Sequence, residues 1–115
     1  MYQVNSKINE KLCNQVIDTA LVIKEFEGVV NTGKVMVPQK FIDRVNSVMG
    51  YVHQLFMDYN ANKLNGLQLQ EKMITLMAKL IEYRNSYKVG GYGYRMMNSL
   101  FDIVNTTYVT IDDIA

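Results

Sequence analysis

With 115 residues, the chain has the length of one domain and leaves no room for two hydrophobic cores. Hydrophobic residues make up 49% and charged residues 20%, which excludes the composition of a disordered chain. Twelve Lys and Arg residues stand against eleven Asp and Glu residues, so the basic excess typical of a nucleic-acid-binding domain is absent.

The N-terminus and the cysteine content predict a cytoplasmic protein. The first residues, MYQVNSKINE, lack the apolar segment of a signal peptide. No stretch approaches the roughly 18 unbroken apolar residues of a membrane-spanning helix. Cys13 is the only cysteine, so no disulfide can form within the chain. We therefore expect a reduced thiol, and a membrane role only through a partner or a surface contact.

The first predicted helix runs from about Ser6 to Glu27, where apolar residues recur at spacings of three and four. Asn5 or Ser6 suits the N-cap and Gly28 suits the C-terminal cap. In residues 29–37, β-branched residues flank an Asn-Thr-Gly sequence, a pattern compatible with a short hairpin. We predict a loop with extended pieces there, because an isolated two-stranded ribbon is only marginally stable.

Two heptad patterns follow. Pro38 opens the second helix, in which apolar residues alternate between gaps of four and three: Phe41, Val45, Val48, Val52, Leu55 and Tyr59. After a polar connection at 60–66, the third helix repeats this spacing with Leu69, Met73, Leu76, Leu80, Tyr83 and Tyr87. Such stripes pack against neighbouring helices, so we expect a core that includes Val45, Val52, Leu76, Met77 and Leu80.

A fourth helix is predicted from about Tyr94 to Asn105. Residues 106–115 combine β-prone residues with two aspartates, so we predict that they form a flexible or extended tail. Four helices with short connections predict an all-α fold: an antiparallel four-helix bundle with a Gly/Tyr-rich turn before the last helix, in a single domain over residues 1–115.

No catalytic or metal-binding constellation can be assembled from these residues. His53 is the only histidine, and no oriented partner for a general base is evident. One His and one Cys, far apart, fall short of a metal site. Cys13 lies on the apolar side of its helix, which favours a buried and inert thiol. Asp112-Asp113 is the only acidic pair and lies near the end of the chain. We therefore expect neither an enzyme nor a cofactor.

The most distinctive local feature is Gly90-Gly91-Tyr92-Gly93-Tyr94-Arg95. It matches neither the dinucleotide fingerprint nor the Walker pattern. Anion binding by backbone amides and a flexible turn are both compatible with it. Because Tyr and Arg are frequent interface anchors, we predict a contact surface here. The predicted partner-binding residues are Tyr92, Tyr94, Arg95, Lys88, Arg84 and Met96, of which Met96 fits its apolar stripe poorly enough to be exposed.

Several motifs in residues 37–95 occur in the same order in a known family. Val37-Pro38 precedes Phe41-Ile42-x-Arg44-Val45-Asn46, which is followed by Gln70-x3-Ile74-x2-Met77-x2-Leu80 and by Tyr92-Gly93-Tyr94-Arg95. This order resembles the bacteriocin immunity proteins of the enterocin and pediocin type. The resemblance implies a cytoplasmic four-helix bundle that protects a producer cell by recognising a bacteriocin-occupied sugar-transport permease at the inner face of the membrane. It also implies that the part from Tyr92 onward determines which bacteriocin is resisted.

Two other functions stay open at this point. One is a phage- or plasmid-encoded inhibitor or adaptor that binds a host protein. The other is a nucleic-acid-binding helical module, because Lys79, Arg84, Lys88 and Arg95 alternate with tyrosines. In the first two cases the expected partner is a protein.

Overall fold

Four α-helices account for most of the structure. The computed structural model describes residues 4–33 and 35–114. They form α1 (Ser6–Asn31), α2 (Gln39–Asn60), α3 (Gly66–Asn85) and α4 (Tyr92–Ile114), and no strand occurs among the residues described. The predicted all-α class is confirmed.

Local side-chain hydrogen bonds explain where two of the helices begin. The Asn5 side chain accepts from the backbone N–H groups of Lys7 (2.9 Å) and Ile8 (3.2 Å), so of the two candidates, Asn5 and Ser6, it is Asn5 that caps α1. At the start of α3, the Asn65 side chain accepts from the Gln68 N–H (2.7 Å), and the Gln68 side chain accepts from the Asn65 N–H (3.0 Å). This reciprocal capping box stabilises the helix start without any contact from elsewhere in the fold.

The first helix is longer than its sequence indicates. It passes Gly28 and ends at Asn31, where the Thr32 N–H donates to the Gly28 carbonyl (3.2 Å). The side chains of Val29 and Val30 are half-buried, and Val30 packs against the core, which favours continuation of the helix. The predicted loop therefore shortens to residues 32–38, of which Lys34 lies outside the described residues.

The predicted C-terminal tail is wrong, because α4 continues to Ile114. Thr107 and Ile111 extend the buried stripe of Leu100 and Val104 at helical spacing. The Thr107 hydroxyl donates to the Ile103 carbonyl (2.8 Å), so this buried polar group is satisfied within the helix. Burial of the stripe thus overrides the weak helix propensity of the β-branched residues. Ala115, the end of that predicted tail, lies outside the described residues.

Contacts between helix ends show that neighbouring helices run antiparallel. The Asn5 N–H at the start of α1 donates to the Tyr59 hydroxyl at the end of α2 (3.0 Å). Arg44 near the start of α2 donates to Ser86 just beyond α3 (2.9 Å). Gln70 near the start of α3 donates to Asp112 near the end of α4 (2.9 Å). Helix α1 packs against α2 and α4, and α3 packs closely against α4 and more loosely against α2. The predicted antiparallel four-helix bundle is therefore confirmed, in a body of 48 × 23 × 20 Å.

The core follows the whole α2 pattern and the α3 pattern from Leu69 to Leu80. Tyr83 is only half-buried, and Tyr87 lies beyond the end of α3, because that helix ends at Asn85 rather than continuing towards Gly90 as predicted. Val45, Val52, Leu76 and Leu80 are buried, as predicted. Met77 is only half-buried, because it lies one position beside the stripe and contacts the core from its edge.

Candidate partner-binding site

Four aromatic rings close one end of the bundle, where α1 and α3 end and α2 and α4 begin. We call Phe26, Phe41, Tyr87 and Tyr92 the aromatic cluster. The Phe26 and Phe41 ring centroids are 5.3 Å apart, and the Phe41 ring meets the Tyr87 ring edge-on at 5.2 Å. The Tyr92 ring stacks on Phe26 at 6.0 Å. α1, α2 and α4 contribute one ring each, and the loop after α3 contributes Tyr87, so the cluster holds this end together.

Glycines allow the chain to enter α4 against these rings. Gly90 has a φ of +79°, a left-handed conformation that other residues adopt only at a cost. A Cβ atom on Gly93 would lie 2.9 Å from Cγ of Tyr87 and 3.1 Å from Cε2 of Phe41. The predicted Gly/Tyr-rich turn is thus divided between a loop at 86–91 and the first turn of α4, which begins at Tyr92.

Arg44 connects α2 to the end of α3. Its guanidinium lies over the Tyr83 ring, 4.6 Å from the centroid, and its Nη1 donates to the Ser86 Oγ (2.9 Å) and the Tyr87 hydroxyl (3.0 Å). Sequence reasoning assigned no role to Arg44. Its Arg-apolar-Asn motif contributed only to a family resemblance, and its hydrogen-bond partners lie more than forty positions away in the chain.

Arg84 connects α3 to α4 in a similar way. Its Nη1 donates to Asn98 Oδ1 (3.1 Å), and its guanidinium lies 5.4 Å from the Tyr94 ring centroid and 5.9 Å from that of Phe101. Arg84 and Tyr94 are both half-buried. Of the predicted partner-binding residues, Arg84 is therefore already engaged within the fold, whereas Tyr94 keeps part of its ring in solvent.

The predicted exposure of Met96 is wrong. Met96 is 7% exposed, because the entry of α4 from the aromatic cluster turns it inward beside Met97. Tyr92 is half-buried, since its ring stacks on Phe26. Lys88 and Arg95 are exposed, as a contact surface requires. The structure thus brings Tyr92, Tyr94 and Arg95 together in one helix turn but gives them different surroundings.

A groove of about 330 Å³ lies between the end of α1 and the start of α4. Its lining residues are Val22, Glu25, Phe26, Val29, Tyr92, Arg95, Met96 and Ser99. Burial raises the pKa of the Tyr92 hydroxyl, the Glu25 carboxylate raises it further, and Arg95 opposes the shift. The groove therefore combines an apolar floor with one acidic and one basic residue.

A second groove, of about 370 Å³, lies where α2 and α3 pack loosely, and sequence reasoning missed it. Small or short side chains beside the heptad stripes leave this space: Ser47, Thr75 and Ala78 all line it. These residues are visible in the sequence, but the spacing of the two helices that makes them a groove is not.

The residues considered for chemistry do not converge. His53 is exposed on α2, and Cys13 is unpaired and half-buried on α1 rather than fully buried as predicted, because its position lies at the flank of the buried stripe. Asp112 accepts a hydrogen bond from Gln70. Within residues 4–33 and 35–114, no three His, Cys, Asp or Glu side chains are grouped so as to hold a metal ion.

None of the four helices, over the residues described, is long and apolar enough to cross a membrane. Compared with known proteins, the chain matches no family model, no curated protein and no solved structure. The residues and geometry of this chain are therefore the basis for a functional proposal.

Proposed function

We propose that this chain is a non-catalytic binding protein of the bacteriocin immunity type. It acts in the cytoplasm, at the inner face of the membrane, where it recognises a sugar-transport permease occupied by a bacteriocin. Its contact surface is the groove between α1 and α4 together with the neighbouring side chains of Tyr94, Arg95 and Lys88.

The observation that carries this proposal is the position of the groove. Its α4 wall consists of Tyr92, Arg95, Met96 and Ser99, which belong to the segment that the resemblance connects with bacteriocin selectivity. An apolar floor flanked by a few charged groups suits an apolar side chain of a protein partner, with Glu25 and Arg95 at its edges to orient polar groups.

The charges at this end favour a protein partner over a nucleic acid. Arg44 and Arg84 are both engaged by neighbouring side chains, and Lys79 lies 3.7 Å from the Glu82 carboxylate. Of the four basic residues on which the nucleic-acid hypothesis depends, Lys79 and Arg84 are therefore paired with neighbouring side chains, whereas Lys88 and Arg95 are exposed. The phage or plasmid adaptor hypothesis would use the same groove on a different protein.

The test is a protection assay in bacteriocin-sensitive cells that express the chain, challenged with a panel of pediocin-type bacteriocins. Arg95→Glu reverses a charge at the groove, and Ser99→Arg fills it. Val109→Arg is the matched control, because Val109 is exposed on the same helix away from the groove. We expect the two groove variants to lose protection while their melting temperatures stay near that of the parent, and the control to protect fully.

Protection by all three variants would show that the contact surface lies elsewhere on the protein. A parent that protects against no member of the panel would contradict the immunity hypothesis. Capture of one host protein by the parent and by Val109→Arg, but not by Ser99→Arg, would then favour the adaptor hypothesis.

A further inference from the structure

The two most exposed large hydrophobic side chains among the described residues lie in two different loops. Met36, in the 32–38 loop, is 96% exposed, and Val89, in the 86–91 loop, is 77% exposed. Neither packs against the core. Packing within the fold therefore does not explain why an apolar residue stands at either position.

Both loops lie at the same end of the bundle. The 32–38 loop joins the end of α1 to the start of α2, and the 86–91 loop joins the end of α3 to the start of α4. The Arg44–Ser86 hydrogen bond and the Phe26–Tyr92 stack connect these four helix ends directly. We call this end, with its two loops and the aromatic cluster beneath them, the loop end.

Cations and tyrosines surround the two apolar side chains. Exposed Lys40 and Lys88 flank the loops, and Arg95 is exposed one turn into α4. The carboxylates that face the same end are Glu25, Glu27, Asp43 and Glu82, fewer than its cations, which also include Arg44, Lys79 and Arg84. Half-buried Tyr83, Tyr87, Tyr92 and Tyr94 supply the amphipathic rings that proteins concentrate at membrane interfaces.

We propose that the loop end docks on an anionic lipid bilayer, with Met36 and Val89 inserted among the lipid headgroups. The inference goes beyond the proposed function, because its ligand is the lipid surface itself and no permease takes part. Apolar insertion and basic attraction are each weak alone and become effective together. Each basic residue near an anionic surface contributes about a fivefold gain in partitioning, and each inserted apolar side chain contributes about tenfold.

The opposite end of the bundle provides an internal control. Leu67, in the first turn of α3, is 66% exposed there, and Lys63 is exposed in the 61–65 loop. That end has no basic excess, because its charged residues nearly balance: the carboxylates are Glu10, Asp58, Glu71, Asp112 and Asp113, and the cations are Lys7, Lys11, Lys63 and Lys72. Both ends of the bundle therefore expose apolar and basic side chains. Only the loop end has two loops that each expose an apolar side chain and cations that outnumber the carboxylates around them.

The absence of tryptophan makes a direct test possible. Met36→Trp and Val89→Trp place a single fluorescent reporter in each loop, and Leu67→Trp places one at the opposite end. With vesicles of phosphatidylglycerol and phosphatidylcholine at low salt, we expect the emission of the two loop reporters to shift to shorter wavelength and their quenching by iodide to fall several-fold. Leu67→Trp should not respond, and pure phosphatidylcholine vesicles should shift none of the three.

Vesicle flotation measures how strongly the protein partitions onto the lipid bilayer. We expect the Met36→Ser, Val89→Ser double variant and the Lys88→Glu variant each to lower partitioning onto anionic vesicles at least tenfold, and 0.5 M salt to do the same to the parent. The matched controls, Leu67→Ser and Lys63→Glu, should change it less than twofold. A parent that stays off anionic vesicles, or controls as impaired as the loop variants, would overturn the proposal. So would loop reporters that respond only when a protein partner is added. Because the vesicles contain no protein, these results are independent of the protection assay.

Discussion

Replacement of Gly93 by Ala tests whether the aromatic cluster determines how α4 enters the bundle. The added methyl group would lie 2.9 Å and 3.0 Å from two atoms of the Tyr87 ring and 3.1 Å from the Phe41 ring. These rings cannot move aside freely. The Tyr87 hydroxyl accepts from Arg44, and its ring packs edge-on against Phe41.

Two opposing effects set the size of the change. Ala is a better helix former than Gly by about 0.5–1 kcal/mol in a helix interior, and the gain is smaller in the first turn, where Gly93 lies. Overpacking a well-packed cluster costs about 1–3 kcal/mol. The second effect is larger, so we expect Gly93→Ala to destabilise the fold by about 1–2 kcal/mol. For a chain of this length that corresponds to a fall of roughly 3–8 °C in melting temperature.

Gly50→Ala is the matched control. Gly50 is exposed within α2, and a methyl group there would meet nothing within 4 Å. It should therefore raise stability by about 0.5–1 kcal/mol through helix propensity alone. Thermal and urea denaturation followed by circular dichroism would measure both variants. If Gly93→Ala melts at or above the temperature of the parent while Gly50→Ala also melts higher, the rings do not restrict this position.

Three further predictions concern the interior. Leu80 is fully buried, so Leu80→Ala should cost about 2–5 kcal/mol in a denaturant titration; a change near zero would show that the stripe is misassigned. Both polar atoms of the fully buried Gln15 side chain lack a hydrogen-bond partner in the protein. Gln15→Leu should therefore raise the melting temperature by the equivalent of about 1 kcal/mol, and a melting temperature below that of the parent would show that the amide is satisfied. Burial raises the pKa of the Tyr92 hydroxyl. The unfolded chain therefore loses this proton first as the pH rises above about 10, and stability should fall in that window. Tyr92→Phe should lessen the fall, and an unchanged alkaline profile would exclude this residue as its source.

The candidate site was only partly predictable. Tyr92, Tyr94 and Arg95 stand out in the sequence because interface-type residues are concentrated there. Whether each one faces a partner or the core depends on rings that lie far away in the chain, such as Phe26 for Tyr92. For the same reason Met96, which fits its stripe poorly in the sequence, is buried.

The sequence by itself determined the local features: the helical class, the heptad patterns of α2 and α3, and the N-terminal cap of α1. Each of these depends on residues within a few positions, such as the spacing from Val45 to Leu55 or the hydrogen bond that the Ile8 N–H donates to the Asn5 side chain. Only the tertiary structure decided how far α1 and α4 extend and where the grooves lie, because both depend on burial against distant helices. It also decided that Met36 and Val89 lie at the same end of the bundle, since the antiparallel packing of four helices places there two loops that are about fifty residues apart in the chain.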